Sequence, residues 1–202
     1  MLQTQTVVPE LLELLKKLMK EKSFSNYFLV GGTALSLQIG HRNSIDIDLF
    51  GKEPIDYDLF VDVLKEFGTT EVTKNSKNIL ITQVNNIKVD FVNYNYPLLE
   101  NSIEIDGIRM VSKKDISAMK LNAIAGRGSK KDFIDLYFLL NEFTLREMMD
   151  FYLQKYLDGS EFMVYKSLTY FLEADLQPQP KMFSNFNWED CKQKIVEEVL
   201  KL

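Results

Sequence analysis

The chain has 202 residues, enough for one domain with a real core or for two small lobes. Its 46% apolar content, with 14 Phe and 9 Tyr, is that of a packed globular protein, and its net charge of −5 excludes a globally basic nucleic-acid surface. A single cysteine, Cys191, excludes an internal disulfide framework and a cysteine metal site, and no stretch approaches the roughly 20 apolar residues of a membrane span.

Residues 1–8 carry neither a basic start nor a long apolar run, so no signal peptide is expected, and the expected location is cytoplasmic. Pro9–Lys20 repeats Leu at helical spacing, with Pro9 suited to a first turn. Tyr27–Val30 reads as a short buried strand ending at Gly31-Gly32, and Thr33–Ile39 as a short helix. Ser44–Leu49 alternates as a strand does, with Ile45, Ile47 and Leu49 on one face and Ser44, Asp46 and Asp48 on the other. Residues 56–67 form an amphipathic helical pattern. Two hairpins follow: Ile79–Val84 with Ile87–Val92 around Asn85-Asn86, and Ser102–Ile105 with Ile108–Val111 around Asp106-Gly107.

From Ser112 onward the pattern is helical. Ser112 is placed to cap, with Asp115 in the first turn. Gly126–Ser129 interrupts. Asp132–Asn141, Leu145–Tyr156, Phe162–Leu172 and Trp188–Leu202 are the remaining helical segments, with 177–180 as a connector. The shift in pattern divides an α/β lobe, 1–111, from a helical lobe, 112–202. Between Arg109 and Lys131 there are seven basic residues against one acid, Asp115, a local excess able to attract phosphates.

The chemistry concentrates in Gly31–Phe50. On a strand, Asp46 and Asp48 share a face, about 6–7 Å apart along the backbone, and can converge on a hard cation such as Mg²⁺. An isolated Asp-x-Asp is more often two solvated acids on an exposed strand. Gly31-Gly32 lets an anion approach the backbone at a helix start, and Thr33 adds a hydroxyl. Asp90, interrupting an apolar strand beside Lys88, supplies a third acid. Three acids from neighbouring strands suit two metal ions. His41, the only histidine, and Arg42 lie between the glycines and the acids, and Arg42 has a fork of donors that fits phosphate.

Gly31-Gly32-Thr33-Ala34-Leu35 followed by His41-Arg42-x-Ser44-x-Asp46-x-Asp48-Leu49-Phe50 resembles the first motif of the AbiEii-type nucleotidyltransferases, within the DNA polymerase β-like superfamily. Asp90 matches that family's third metal-binding carboxylate. Lys120-Leu-Asn-Ala123, Arg127 and Lys131-Asp132-Phe-Ile-Asp135 resemble its downstream helical motif, with Lys131 standing where Arg is expected. The resemblance runs from Tyr27 to Trp188. It implies an α+β fold: a polymerase β-like palm, a mixed sheet with flanking helices, followed by a helical C-terminal lobe. It also implies transfer of NMP from an NTP to an acceptor hydroxyl with release of pyrophosphate. Asp46, Asp48 and Asp90 would hold two Mg²⁺ ions. Gly31, Gly32, Thr33, His41, Arg42, Ser44, Lys120 and Arg127 would face the nucleotide, with Asp135 orienting Lys120 or Arg127. A toxin role, a tRNA or other RNA acceptor and a cognate antitoxin are the family's implications. The competing readings are a nucleotidyltransferase acting on a small aminoglycoside-like molecule and a non-catalytic nucleotide-binding regulatory module.

Overall fold

The computed structural model describes residues 1–202. The chain divides into two compact units: Met1–Asn95 with Ser102–Val111, and Tyr96–Asn101 with Ser112–Leu202.

The first unit is built on a seven-stranded mixed sheet. Its elements are α1 (Pro9–Lys20), β1 (Tyr27–Leu29), α2 (Gly31–Ile39), β2 (Asp46–Gly51), α3 (Tyr57–Phe67), β3 (Thr70–Ser76), β4 (Ile79–Val84), β5 (Ile87–Asn93), β6 (Ile103–Ile105) and β7 (Ile108–Met110). The strand order is β3-β4-β5-β2-β1-β7-β6, so β5 and β2 lie side by side in the interior, and they run parallel. Helix α1 starts with Pro9 in its first turn and buries Leu11, Leu14, Leu15, Leu18 and Met19. In α3, Asp56 accepts a hydrogen bond from the Leu59 N–H, and Phe60, Val61 and Leu64 are buried. Phe24, Tyr27, Phe60 and Phe91 meet with ring centroids 4.7–5.6 Å apart. Each such pair adds about 0.5–1.5 kcal/mol beyond the area it buries.

Both hairpin turns form as expected. Asn85 and Asn86 sit at φ 50° and 65°, and Asp106 and Gly107 at 53° and 76°. Positive φ at both central residues matches the right-handed twist of the flanking strands. Strand β3 has no counterpart in the sequence reading. It is the sheet's edge, exposed along nearly its whole length, and its polar sequence shows no two-residue apolar alternation.

The second unit contains α4 (Lys113–Gly126), α5 (Lys130–Leu139), α6 (Leu145–Lys155), α7 (Glu161–Leu168), α8 (Leu172–Asp175) and α9 (Trp188–Val199). Ser112 caps α4 by accepting from the Asp115 N–H, and Thr144 with Glu147 closes a capping box at α6. The single helix expected over 162–172 is broken. Helix α7 stops at Leu168, and Phe171 packs against Phe133 at 4.9 Å and Trp188 at 6.0 Å. The segment Tyr96–Asn101 is tied to this unit by a buried ion pair. Lys155 Nζ donates to Asp115 Oδ1 and to the Pro97 carbonyl, both at 2.7 Å, and Asp115 also accepts from the Leu99 and Glu100 N–H groups. No helix is long and apolar enough to cross a membrane.

Candidate active site

The site grows out of the junction between β1 and α2. Gly31 adopts φ +69°, a left-handed conformation that costs a side chain dearly. A Cβ there would lie 2.9 Å from Asp48 Oδ2. The glycine therefore allows both the turn and the close approach of the Asp48 carboxylate. Gly32 leaves room for Arg42, whose guanidinium lies where a Gly32 side chain would begin. No side chain caps α2, so its first N–H groups have no capping acceptor and point their positive end at the region beside Asp48.

The pairing of β2 with β5 sets the acids. Asp46 is opposite Lys88, and Asp48 is opposite Asp90. Ile47, Leu49, Val89 and Phe91 are buried on the other face, which leaves Asp46, Asp48, Lys88 and Asp90 together on the open one. Asp90 Oδ1 is buried with no hydrogen-bond partner, and Lys88 Nζ donates to Asp90 Oδ2 at 2.5 Å. Burial works against the Lys88 ammonium. The hydrogen bond from Lys88 to Asp90 and the charges of Asp90, Asp48 and Asp46 outweigh it and raise the lysine above its ordinary pKa. The sequence reading treated Lys88 only as a polar neighbour of Asp90, although two-residue periodicity already placed both on one face.

Three carboxylates on one open face, one with an unsatisfied oxygen, are the kind of donor set a hard divalent cation takes. They are not drawn around a single point: no group of three or more His, Cys, Asp or Glu side chains is close enough to hold an ion.

Several expected nucleotide-facing side chains are buried. Thr33, 1% exposed, donates to the Asp46 carbonyl, and its hydroxyl lies 2.8 Å from that of Ser44. This pair ties the start of α2 to the start of β2 and commits the hydroxyl that the sequence reading offered to phosphate. His41 and Arg42 are buried as well, and Arg42 donates to the Asn43 carbonyl.

Lys120, Arg127, Asp132 and Asp135 come together within the helical unit. Lys120 Nζ is 2.9 Å from Asp132 Oδ1 and 2.6 Å from Asp135 Oδ2, with all three side chains buried. Arg127, exposed, donates to Asp132 through Nε at 3.0 Å, and Ser129 donates to the same carboxylate at 2.6 Å. Burial pushes the Asp132 carboxyl up, but Lys120 and the bonds from Arg127 and Ser129 overcome it and hold the group below the usual carboxylate range.

Much of the basic excess between Arg109 and Lys131 is paired within the chain, while Arg127 and Lys131 stay exposed. Arg109 donates to the Met19 and Phe24 carbonyls, Lys113 pairs with Glu142 and Lys114 with Glu100, and Lys130 lies over the Trp188 ring.

With this geometry in place, the sequence matches, over residues 13–201, the family described as nucleotidyl transferase AbiEii toxin, type IV TA system. The chain belongs to the AbiEii family. An uncharacterized protein of Aquifex aeolicus is 38% identical over 168 residues, covering 80% of this chain and 82% of that one. Among solved structures, MenT4, a nucleotidyltransferase toxin from Mycobacterium tuberculosis, superposes with a TM-score of 0.62 at 15% identity, covering 96% of this chain and 83% of its own. JHP933 from Helicobacter pylori gives 0.58 at 17%, covering 95% and 88%. At such identities the likeness is one of fold: an α+β nucleotidyltransferase fold with a helical C-terminal region. This AbiEii chain is a nucleotidyltransferase.

Proposed function

We propose that this AbiEii protein transfers a nucleoside monophosphate from an NTP to an acceptor hydroxyl, releasing pyrophosphate, with two Mg²⁺ ions as cofactor. The observation that carries the reading is the placement of Asp46, Asp48 and Asp90 on one open face beside the uncapped start of α2. The three acids would hold the magnesium ions, which when bound neutralise phosphate charge and acidify the acceptor hydroxyl. The N–H groups at the start of α2 bind the triphosphate oxygens. Gly31 keeps Asp48 against that helix end. Asp90 accepts the acceptor's proton, the acceptor oxygen bonds to the α-phosphorus, and the α–β bridging oxygen leaves with pyrophosphate. Rate comes from positioning and charge compensation.

The acceptor we assign is an RNA, tRNA foremost, and the biological role is that of a toxin held in check by an antitoxin encoded with it. The family's description as a toxin of a TA system supports the role. The pairing of Lys113, Lys114 and Lys120 with acids of the chain itself favours a second reading, a small hydroxylated acceptor. The fold is also shared with ANT(2'')-Ia, an antibiotic-resistance factor (TM-score 0.55, 14% identity, 70% of this chain and 87% of its own).

Incubation with each labelled NTP, Mg²⁺ and either total RNA or an aminoglycoside tests the proposal. Label should appear on RNA with wild type and vanish with Asp48→Asn. Label on an aminoglycoside instead selects the second reading. Equal label with wild type and Asp48→Asn overturns the catalytic assignment.

A further inference from the structure

Among the four charged side chains on the open face of β2 and β5, three are anionic and one, Lys88, is cationic. Lys88 lies opposite Asp46 in the register, and its ammonium touches Asp90 at 2.5 Å. No set of three acids closes on a common point, and Lys88 lies beside Asp46 in the register with its ammonium on Asp90. Its side chain is 42% exposed, against 14% for Asp90, so the stem has a solvent-side route out. A lysine is a compact point charge on a flexible four-carbon chain, suited to leaving a carboxylate when a stronger cation arrives.

We propose that Lys88 is a tethered counter-ion for the acid cluster, which a divalent cation must displace from Asp90 to bind. The lysine sets the metal concentration at which the site fills. While no ion is bound, its ammonium neutralises the Asp90 carboxylate. The inference rests on the reading of Asp46, Asp48 and Asp90 as a metal site. Carboxylates two residues apart and directly opposite repel one another, and an ammonium among them offsets that repulsion.

The test is Mn²⁺ binding by the full-length protein, followed through the electron paramagnetic resonance signal of free Mn²⁺. Thermal denaturation with EDTA and with Mn²⁺ is measured in parallel. Wild type, Lys88→Met, Lys88→Arg and Asp48→Asn are compared. Lys88→Met should bind Mn²⁺ about tenfold more tightly, a change of about 1.4 kcal/mol. In EDTA it should melt lower than wild type, and Mn²⁺ should raise its melting temperature by more. Lys88→Arg keeps the charge and should stay near wild type. Unchanged or weaker binding by Lys88→Met overturns the proposal, as does equal behaviour of Lys88→Met and Lys88→Arg. If wild type binds no Mn²⁺ and resembles Asp48→Asn, the metal-site reading itself fails.

Discussion

Gly31→Ala separates the two duties of the first glycine. A methyl group at φ +69° is strained whatever surrounds it, at a cost of about 1–3 kcal/mol. The same methyl would stand 2.9 Å from Asp48 Oδ2, closer than real Cβ contacts come, so the carboxylate must move by a few tenths of an ångström or more. The backbone around Gly31 is fixed between β1 and α2, and the side chain of Asp48 is the freer partner. A displacement of up to about 1 Å at a reacting centre costs about 100-fold in rate. The variant should therefore unfold in urea with a stability loss of only about 1–3 kcal/mol, while label transfer falls by about 100-fold at saturating NTP. Turnover within about twofold of wild type, in a variant that shows the stability loss, would refute the argument that Gly31 exists to admit Asp48.

Lys120→Met leaves Asp132 and Asp135 buried without their shared cation, and should cost about 3–5 kcal/mol in urea denaturation. Asp132 is held below the ordinary carboxylate pKa in the folded state. Its stabilising contribution is full above the unfolded value of about 3.9 and is lost as pH falls through the folded value below that. Wild type should thus lose stability on acidification below about pH 4 more steeply than Asp132→Asn does, as followed by circular dichroism across an acid titration. Cys191 is fully buried, and burial pushes its thiol up to about 12. A thiol reagent at pH 8 should leave the native protein unlabelled and react once urea unfolds it. Rapid native labelling would refute the burial.

The parts that could be read from sequence were those with a local cause. Pro9–Lys20 and Ile79–Val84 appear with the expected ends because apolar spacing and turn residues specify them without help from distant chain. The open-face placement of Asp46, Asp48 and Asp90 followed from two-residue alternation alone. Strand β3 escaped because an exposed edge needs no apolar face, and its pairing with β4 supplies what its side chains do not. Strand β2 begins at Asp46 and not at Ser44, because the Ser44 N–H donates to the Thr6 carbonyl at 2.8 Å, a partner far outside any local window. The inward turn of the Thr33 hydroxyl and the pairing of Lys120 with both Asp132 and Asp135 are three-dimensional facts of the same kind. The role of Lys88 was present in the pattern, but a cation beside an acid on a strand looks the same whether it is solvated or enclosed.

The parallel pairing of β2 with β5 also governs when the enzyme comes into being. Asp48 and Asp90 become neighbours only after α3 and the β3–β4 hairpin have been made and folded back, because a parallel pair needs a crossover. Such distant closures are slow steps, reached after the local helices and hairpins. A nascent chain that ends before β5 carries two acids and no third. A slip of β5 by one residue would turn Lys88 and Asp90 inward and expose Val89 and Phe91, so the apolar core rejects the inactive register. Under the proposed assignment of Asp46, Asp48 and Asp90, the site is assembled only when the centre of the sheet closes.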